Sequence, residues 1–502
     1  MTGFVLSIDA GTTSVRCMLF GHGGEVLGVS QRPLTQFYPG DGMVEHNASE
    51  IRDLCVETAR ECLSHPGIDP SECVAVGITN QRETVVVWDR ITGEPLCNAI
   101  VWQDRRTFDM CQHITEEGLG TEVLARTGLQ VDAYFSGTKL AWILDNVPGA
   151  RTMAEEGEAL FGTVESWIIW NLTGGRVHAT DWSNASRTMM FNIHNLGWDP
   201  FLLDMLGVPA EMLPEPFPPG HVFGTTDPDV LGIAAPVASA IGDQQAALFG
   251  QTCLDPGDVK ITFGTGGFLL MNLGDRPMVT SNGLLTTVAW SSGDRADYAL
   301  EGSVYIAGAA VQWLRDELQI VEESSETERM AQSVDDSGGC YVVPAFVGLG
   351  APYWVQNARG VIMGLTRATN RNHIARAALE SIAFQANDVI RAMEADSGTR
   401  IHSIKVDGGA SANDFLCQFL ADITGMDVER PRCIESTALG VAYMAGLTVG
   451  FWSDRDDIRR NWSLDRRFVP AMDDSRRDEL IRGWERAVRC ARLWSETGGE
   501  SS

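Results

Sequence analysis

Lysine is almost missing from this sequence. Lys139, Lys260 and Lys405 are the only three in 502 residues, so arginine carries nearly all the positive charge. None of the three follows a glycine, which rules out a Walker A phosphate loop, the usual solution for binding a nucleotide. Positive charge as a whole is scarce: 38 Lys and Arg stand against 67 Asp and Glu, a formal charge of −29. A nucleic-acid or anionic-membrane partner needs a basic face, and this balance argues against both. No run approaches the ~18 apolar residues that would cross a bilayer. The start MTGFVLSIDAG passes directly into a strand, without the basic and apolar regions of a signal peptide. The 11 cysteines are scattered singly, with no C-x-x-C pair and no metal-ligand cluster. They read as small buried hydrophobes in a reducing compartment, and a cytoplasmic location is the expectation.

What is present is ordinary globular composition at two-domain length, 44% apolar and 21% charged over 502 residues. Three apolar runs end in Asp and Gly: VLSIDAG at Gly11, VASAIGD at Asp243 and IKVDGG at Gly409. A strand carries its last carboxylate to the sheet edge, and glycine lets backbone N–H groups approach a phosphate. The first two copies lie about half a chain apart, which suggests a duplicated nucleotide-binding unit with a cleft between the halves. Strand-like runs are read at Val5–Ile8, Arg16–Phe20, Val74–Ile78 and Thr84–Trp88, and helical spacing at Ile51–Leu63, Leu140–Leu144 and Ser166–Leu172. In the second half the expected helices are Ser303–Leu318, His373–Ala395 and Asn413–Thr424, with packed terminal helices after Phe451.

DAGTTSVR, from Asp9 to Arg16, sets an acid, a turn dense in hydroxyls and a guanidinium side by side. Phosphoryl transfer uses such parts for metal, phosphate oxygens and developing charge. A plain β-turn would look similar in isolation. IGDQQ puts Asp243 and Gln244 at a second strand end, where a carboxylate facing the first turn across the cleft could take a proton from a hydroxyl; the alternative is an N-cap. FGTGGF adds Thr265 among glycines as a further phosphate loop. The adjacent Arg82 and Glu83, with Trp102 and Phe268 as apolar walls, suit a polyol, because a guanidinium donates to hydroxyls and a carboxylate accepts from them. A surface ion pair is the bland alternative.

Taken together these residues resemble the FGGY carbohydrate kinases of the actin and hexokinase superfamily. YFSGTKLAWILDN (Tyr134–Asn146) and RGVIMGLTRATNRNHIARAALES (Arg359–Ser381) match the family's two signatures. QFYPGDGMVEH, ITNQRETVVVWDR, NAIVWQDRRT, NASRTMMFNIH and GDQQAALFGQ are similar to the glycerol kinase subgroup. The resemblance implies an α/β fold of two duplicated actin-like (ribonuclease H-like) domains, each a mixed sheet flanked by helices, with the cleft between them. The expected divisions are 1–250, 251–450 and a helical segment 451–502. The implied activity is transfer of the γ-phosphoryl of ATP to glycerol with Mg²⁺, giving sn-glycerol 3-phosphate and ADP. Carried over by matching motifs, Arg82, Glu83, Tyr134, Asp243 and Gln244 would hold glycerol, with Trp102 and Phe268 packed on its carbons and Asp243 as base. Thr12, Thr13, Ser14, Arg16, Thr265, Gly308, Gln312, Gly409 and Asn413 would hold the nucleotide, and Asp9 and Asp243 the metal. A homo-oligomer, dimer or tetramer, is the expected assembly. The alternatives are an FGGY kinase for another polyol or sugar, and a non-catalytic actin-like ATP-binding protein. DAGTT and GTGGF depart from the family's frequent DQGTT and GTGCF, and TDPDVLGIAAPVAS does not match the loop that binds fructose 1,6-bisphosphate in some members or carry the histidine that phosphocarriers modify in others.

Overall fold

The computed structural model describes residues 3–292 and 295–496. The first sheet begins with a meander, β1 (Phe4–Ala10), β2 (Ser14–Phe20) and β3 (Val26–Pro33), each antiparallel to the last. β4 (Cys73–Asn80) then lies parallel to β1. The two-residue β5 (Gly224–Thr225) and β6 (Pro236–Gly242) complete the order β5-β6-β4-β1-β2-β3. The near-continuous apolar reading of β1 and β4 follows from burial on both faces.

The second sheet repeats this plan. β7 (Val259–Phe263), β8 (Gly267–Gly274) and β10 (Arg295–Val304) form the meander, with β9 (Leu285–Ser292) added beyond it. β11 (Ser403–Asp407) runs parallel to β7, β12 (Asp427–Pro431) parallel to β11, and β13 (Leu464–Phe468) closes the edge. Both sheets share a core of three antiparallel strands followed by two parallel ones. The fold is therefore the mixed α/β pair of sheets the resemblance implied.

The duplication pairs different turns from those the Asp–Gly pattern suggested. The counterpart of the β1–β2 turn is the β7–β8 turn at Gly264–Gly266, since each joins the first two strands of its sheet. Asp243 directly follows β6, in the same sheet as β1, so it flanks the first turn rather than facing it across the cleft. Similar short motifs had ended strands of different rank in the repeat.

Eight helices matter to the site. α1 (Ala48–Leu63) covers the first sheet, α2 (Ser136–Asn146) carries the first signature, and α3 (Val164–Leu172) packs beside α1. α4 (Asp243–Gly250) and α8 (Ser436–Thr448) lie between the halves. α5 (Gly308–Asp316), α6 (Arg371–Ser397) and α7 (Asp414–Thr424) serve the second sheet. The expected helix from Ser303 is shorter, because Ser303 still belongs to β10. α7 is capped by Asn413, whose side chain accepts from the Leu416 N–H. The terminal stretch is mixed: helices Arg455–Asn461 and Asp474–Glu496 flank the edge strand β13, whose run of three charged residues, Asp465 to Arg467, had hidden it. Residues 497–502 of that stretch lie outside the described residues.

α4 and α8 cross unusually closely. A Cβ on Gly440 would lie 1.8 Å from the Ala246 carbonyl oxygen, and one on Gly250 would lie 2.0 Å from that of Ser436. Glycine at both positions is what permits the contact. Around this crossing Val5, Ile241 and Phe249 share a core with Leu270, Trp290 and Ala299 of the second sheet. The two halves thus meet through a packed apolar contact at this crossing. All cysteines are free, and no helix among the described residues is long and apolar enough to cross a membrane.

Candidate active site

Strand ends converge on the cleft. Register places Ala10 and Gly242 on either side of Asn80, so the chain leaves β1, β4 and β6 at one level of the sheet. Beyond β4 the backbone turns sharply: the Gln81 N–H donates to the Ala10 carbonyl at 2.9 Å, and Glu83 takes φ of 61°. A left-handed conformation costs a glutamate about 1–2 kcal/mol. Ser136 at the start of α2 offsets it by donating to the Glu83 carbonyl at 3.0 Å, and Arg187 Nε holds the Glu83 carboxylate at 2.6 Å. The strain keeps both side chains of the Arg82–Glu83 pair turned into the cleft.

Arg82 is 2% exposed and wholly engaged. Its Nη1 and Nη2 donate to Glu301 at 2.5 and 2.9 Å, and its Nε lies 3.2 Å from Asp243 Oδ1. Nη2 also reaches the Tyr134 hydroxyl at 3.4 Å. Trp102 donates from Nε1 to Thr12 Oγ1 at 2.9 Å and meets the rings of Tyr134 and Phe268 edge to face at 5.6 and 6.1 Å. Arg82, Glu83, Trp102, Tyr134, Phe268 and Asp243 thereby line a cavity of about 390 Å³ whose roof includes Thr12 and Thr13.

A second cavity of about 500 Å³ adjoins it, with Thr265 and Gln312 lining both. Its walls include the expected Gly308, Gly409 and Asn413, at the starts of α5 and α7. Ala307 and Gly308 donate from their backbone to the carbonyls of Thr265 and Gly264, so the second turn is tied to the head of α5.

Four expected residues do not line either cavity. Gln244 is buried, its Oε1 accepting from Lys260 Nζ at 2.5 Å. Ser14 and Arg16 are both tied to Gln31 on β3, and Arg16 also pairs with Glu435 from the second half. Asp9 sits behind the turn, opposite Arg16 in the strand register.

The electrostatics separate the carboxyls. Burial alone would raise Glu301, but the Arg187 and Arg82 guanidiniums outweigh it and hold the carboxyl at about 2. Glu83 is raised by burial against the pull of the same two arginines. Asp243 is also raised by burial, with Arg82 and Lys260 opposing, while one side of it, 27% exposed, opens on the cavity. Asp9 is raised to about 7 by burial and by Asp243. Asp9 and Asp243 offer a cation oxygen donors only, and among the described residues no cluster of three or more His, Cys, Asp or Glu could hold a metal unaided. That set fits a hard divalent ion completed by waters and phosphate oxygens.

Sequence reasoning missed Glu301, Arg187 and Lys260. Glu301 was visible as a lone acid in the apolar run YALEGSV, and Lys260 as one of only three lysines, each placed in a strand that should have been apolar.

Family models match both halves: the FGGY family of carbohydrate kinases, N-terminal domain, over residues 4–250, and its C-terminal domain over residues 259–449. The chain belongs to the FGGY family of carbohydrate kinases. This FGGY member is 57% identical to the glycerol kinase of Symbiobacterium thermophilum over 98% of this chain and 99% of that one. It is 55% identical to the glycerol kinase of Caldanaerobacter subterraneus, over 99% and 100% of the two chains. In structure it is similar to Plasmodium falciparum glycerol kinase with ADP, at 34% identity, TM-score 0.90 and 98% coverage of each chain. A ligand-bound xylulose kinase from Lactobacillus acidophilus shares the fold at 22% identity, TM-score 0.87 and 99% coverage of each chain.

Proposed function

We propose that this FGGY kinase phosphorylates glycerol from ATP, with Asp243 as general base. The observation that carries the reading is the buried set of two arginines and two glutamates, Arg82, Arg187, Glu83 and Glu301, of which Arg82 and Glu83 line, with Asp243, a cavity that adjoins a second one at Thr265. Arg82 donates to glycerol hydroxyls and Glu83 accepts from them, Tyr134 and Gln244 complete the polar contacts, and Trp102 and Phe268 pack on the carbons. Gln244 reaches glycerol by releasing Lys260. Asp243 accepts the proton of a terminal hydroxyl as its oxygen bonds to the γ-phosphorus and the bond from that phosphorus to the ADP oxygen breaks. A carboxylate raised above its usual range is a better acceptor for this proton than a free aspartate.

Thr12, Thr13, Ser14, Arg16 and Thr265 serve the phosphates, and Gly308, Gln312, Gly409 and Asn413 the rest of the nucleotide. Asp9 and Asp243 would hold Mg²⁺, which when bound supplies positive charge to the transferring phosphoryl group. Closure of the two domains, 1–250 and 251–450, with the terminal segment from 451 packed on them as far as Glu496, keeps water from the γ-phosphate. A homo-oligomer in the cytoplasm completes the reading.

The test is ADP release from Mg·ATP with glycerol, xylulose, gluconate and no acceptor in turn. Turnover that depends on glycerol is expected. Turnover with a sugar instead, or equal ATP hydrolysis without any acceptor, overturns it.

A further inference from the structure

The polyol clamp is not built by the first half of the chain alone. Glu301 lies on β10, a strand of the second sheet, yet its carboxylate is the partner of two arginines of the first half. It grips Arg82 with both oxygens, at 2.5 and 2.9 Å, and its Oε1 also accepts from Arg187 Nη2 at 3.0 Å. Arg187 in turn holds Glu83 at 2.6 Å, and Arg82 lies 3.2 Å from Asp243. Every charged side chain that meets the polyol in the proposed function is thus one step from Glu301. The carboxylate is 0% exposed and both guanidiniums are at most 2% exposed, so water cannot substitute for any member.

We infer that Glu301 is a positioning residue for the polyol, the group through which the nucleotide-bearing half sets the angle of Arg82 and, by way of Arg187, of Glu83. The inference rests on the glycerol kinase reading of the same cavity. A bidentate carboxylate fixes both the place and the plane of a guanidinium, and that plane decides which Arg82 N–H a hydroxyl can take over, the Nη2 contact to Tyr134 being the longest at 3.4 Å. With Glu301 lost, two guanidiniums would share one cavity wall with one carboxylate fewer, and Arg82 would turn toward Asp243. Because β10 belongs to the second sheet, the clamp has its working geometry only while the halves are seated against each other. The polyol site is therefore assembled by the domain pairing and not merely covered by it.

The experiment compares the full-length wild type with Glu301→Gln and Glu301→Asp, measuring KM for glycerol and for ATP and, separately, the rise in Tm produced by ADP alone. Glu301→Gln should raise the glycerol KM about 30-fold or more. The ATP KM should stay within about threefold, and the ADP-induced rise in Tm should persist. Glu301→Asp, which keeps the charge, should recover part of the loss. A role confined to packing would move both KM values together with Tm and would give Glu301→Asp no advantage. Should Glu301→Gln fail to fold, Glu301→Asp decides alone: a glycerol KM raised several-fold at unchanged ATP KM supports the inference. Unchanged glycerol KM in either folded variant overturns it. If the wild type shows no glycerol-dependent turnover at all, the kinase reading fails and the inference fails with it, an outcome seen before any variant is made.

Discussion

At one end of the cleft, two arginines and two glutamates touch one another at no more than 2% exposure beside Asp243. At the other, the cavity walls are glycines and alanines such as Gly308, Gly409 and Ala410, apolar side chains such as Val311 and Leu379, a few hydroxyls and amides and a single acid, Glu328, and among the described residues no lysine or arginine lines them. On the proposed assignment of the two ends this is the reverse of simple charge matching, since a nucleotide is strongly charged and a polyol is neutral. The difference reflects what each ligand requires. Hydroxyls offer donors and acceptors at fixed angles, which charged side chains match one by one. A nucleotide can instead be met by close backbone approach at helix starts, where N–H groups point outward and the helix dipole favours negative charge. A chain with a net charge of −29 can thereby bind an anion without a basic cavity.

If the polyol end works through side-chain charge, Asp243→Asn should have the largest effect: kcat should fall about 10²–10⁴-fold, with nucleotide affinity unchanged in a direct ADP titration. Normal turnover would remove Asp243 from the base role and dissolve the contrast between the ends. Next, Arg82→Ala leaves Glu301, Asp243 and Glu83 buried without their shared cation, which should cost about 3–5 kcal/mol in chemical unfolding and raise the glycerol KM far more than the ATP KM.

The nucleotide end should respond to backbone space instead. A Cβ on Gly308 would lie 2.5 Å from the Gly264 carbonyl oxygen, so Gly308→Ala must push the β7–β8 turn away from α5. We expect the ATP KM to rise on the order of tenfold, about 1.4 kcal/mol, with the glycerol KM unchanged; equal changes in both would mean that the two ends are not separable. The smallest effect concerns pH. Asp9, raised to about 7 by burial and by Asp243, takes up a proton as pH falls through that value and loses its charge toward a cation. The Mg²⁺ concentration giving half-maximal rate should therefore be higher at pH 6 than at pH 8, by up to about tenfold, and a flat dependence would take Asp9 out of the metal site.

Local signals were legible where backbone sterics act over a few residues. The β1–β2 turn and the Arg82–Glu83 pair each declare themselves within a few residues. The edge strand β13 was not legible, because LDRRF buries only Phe468 and so lacks the apolar alternation of a half-buried strand. The rank of Asp243 was misread for a related cause: an Asp at a strand end looks the same whichever strand of a repeat it terminates.

By itself the sequence determined most strands and turns of two similar halves, the family, and most of the residues lining the cavity of Arg82 and Glu83, since these follow from short-range backbone geometry and from side chains adjacent in the chain. Only the tertiary structure decided that Glu301 would meet Arg82 across 219 residues of chain and that Lys260 would hold Gln244 out of the cavity. Those contacts depend on how closely α4 and α8 let the two sheets approach. That distance is set by packing at Gly250 and Gly440, which no local pattern around Glu301 or Lys260 records.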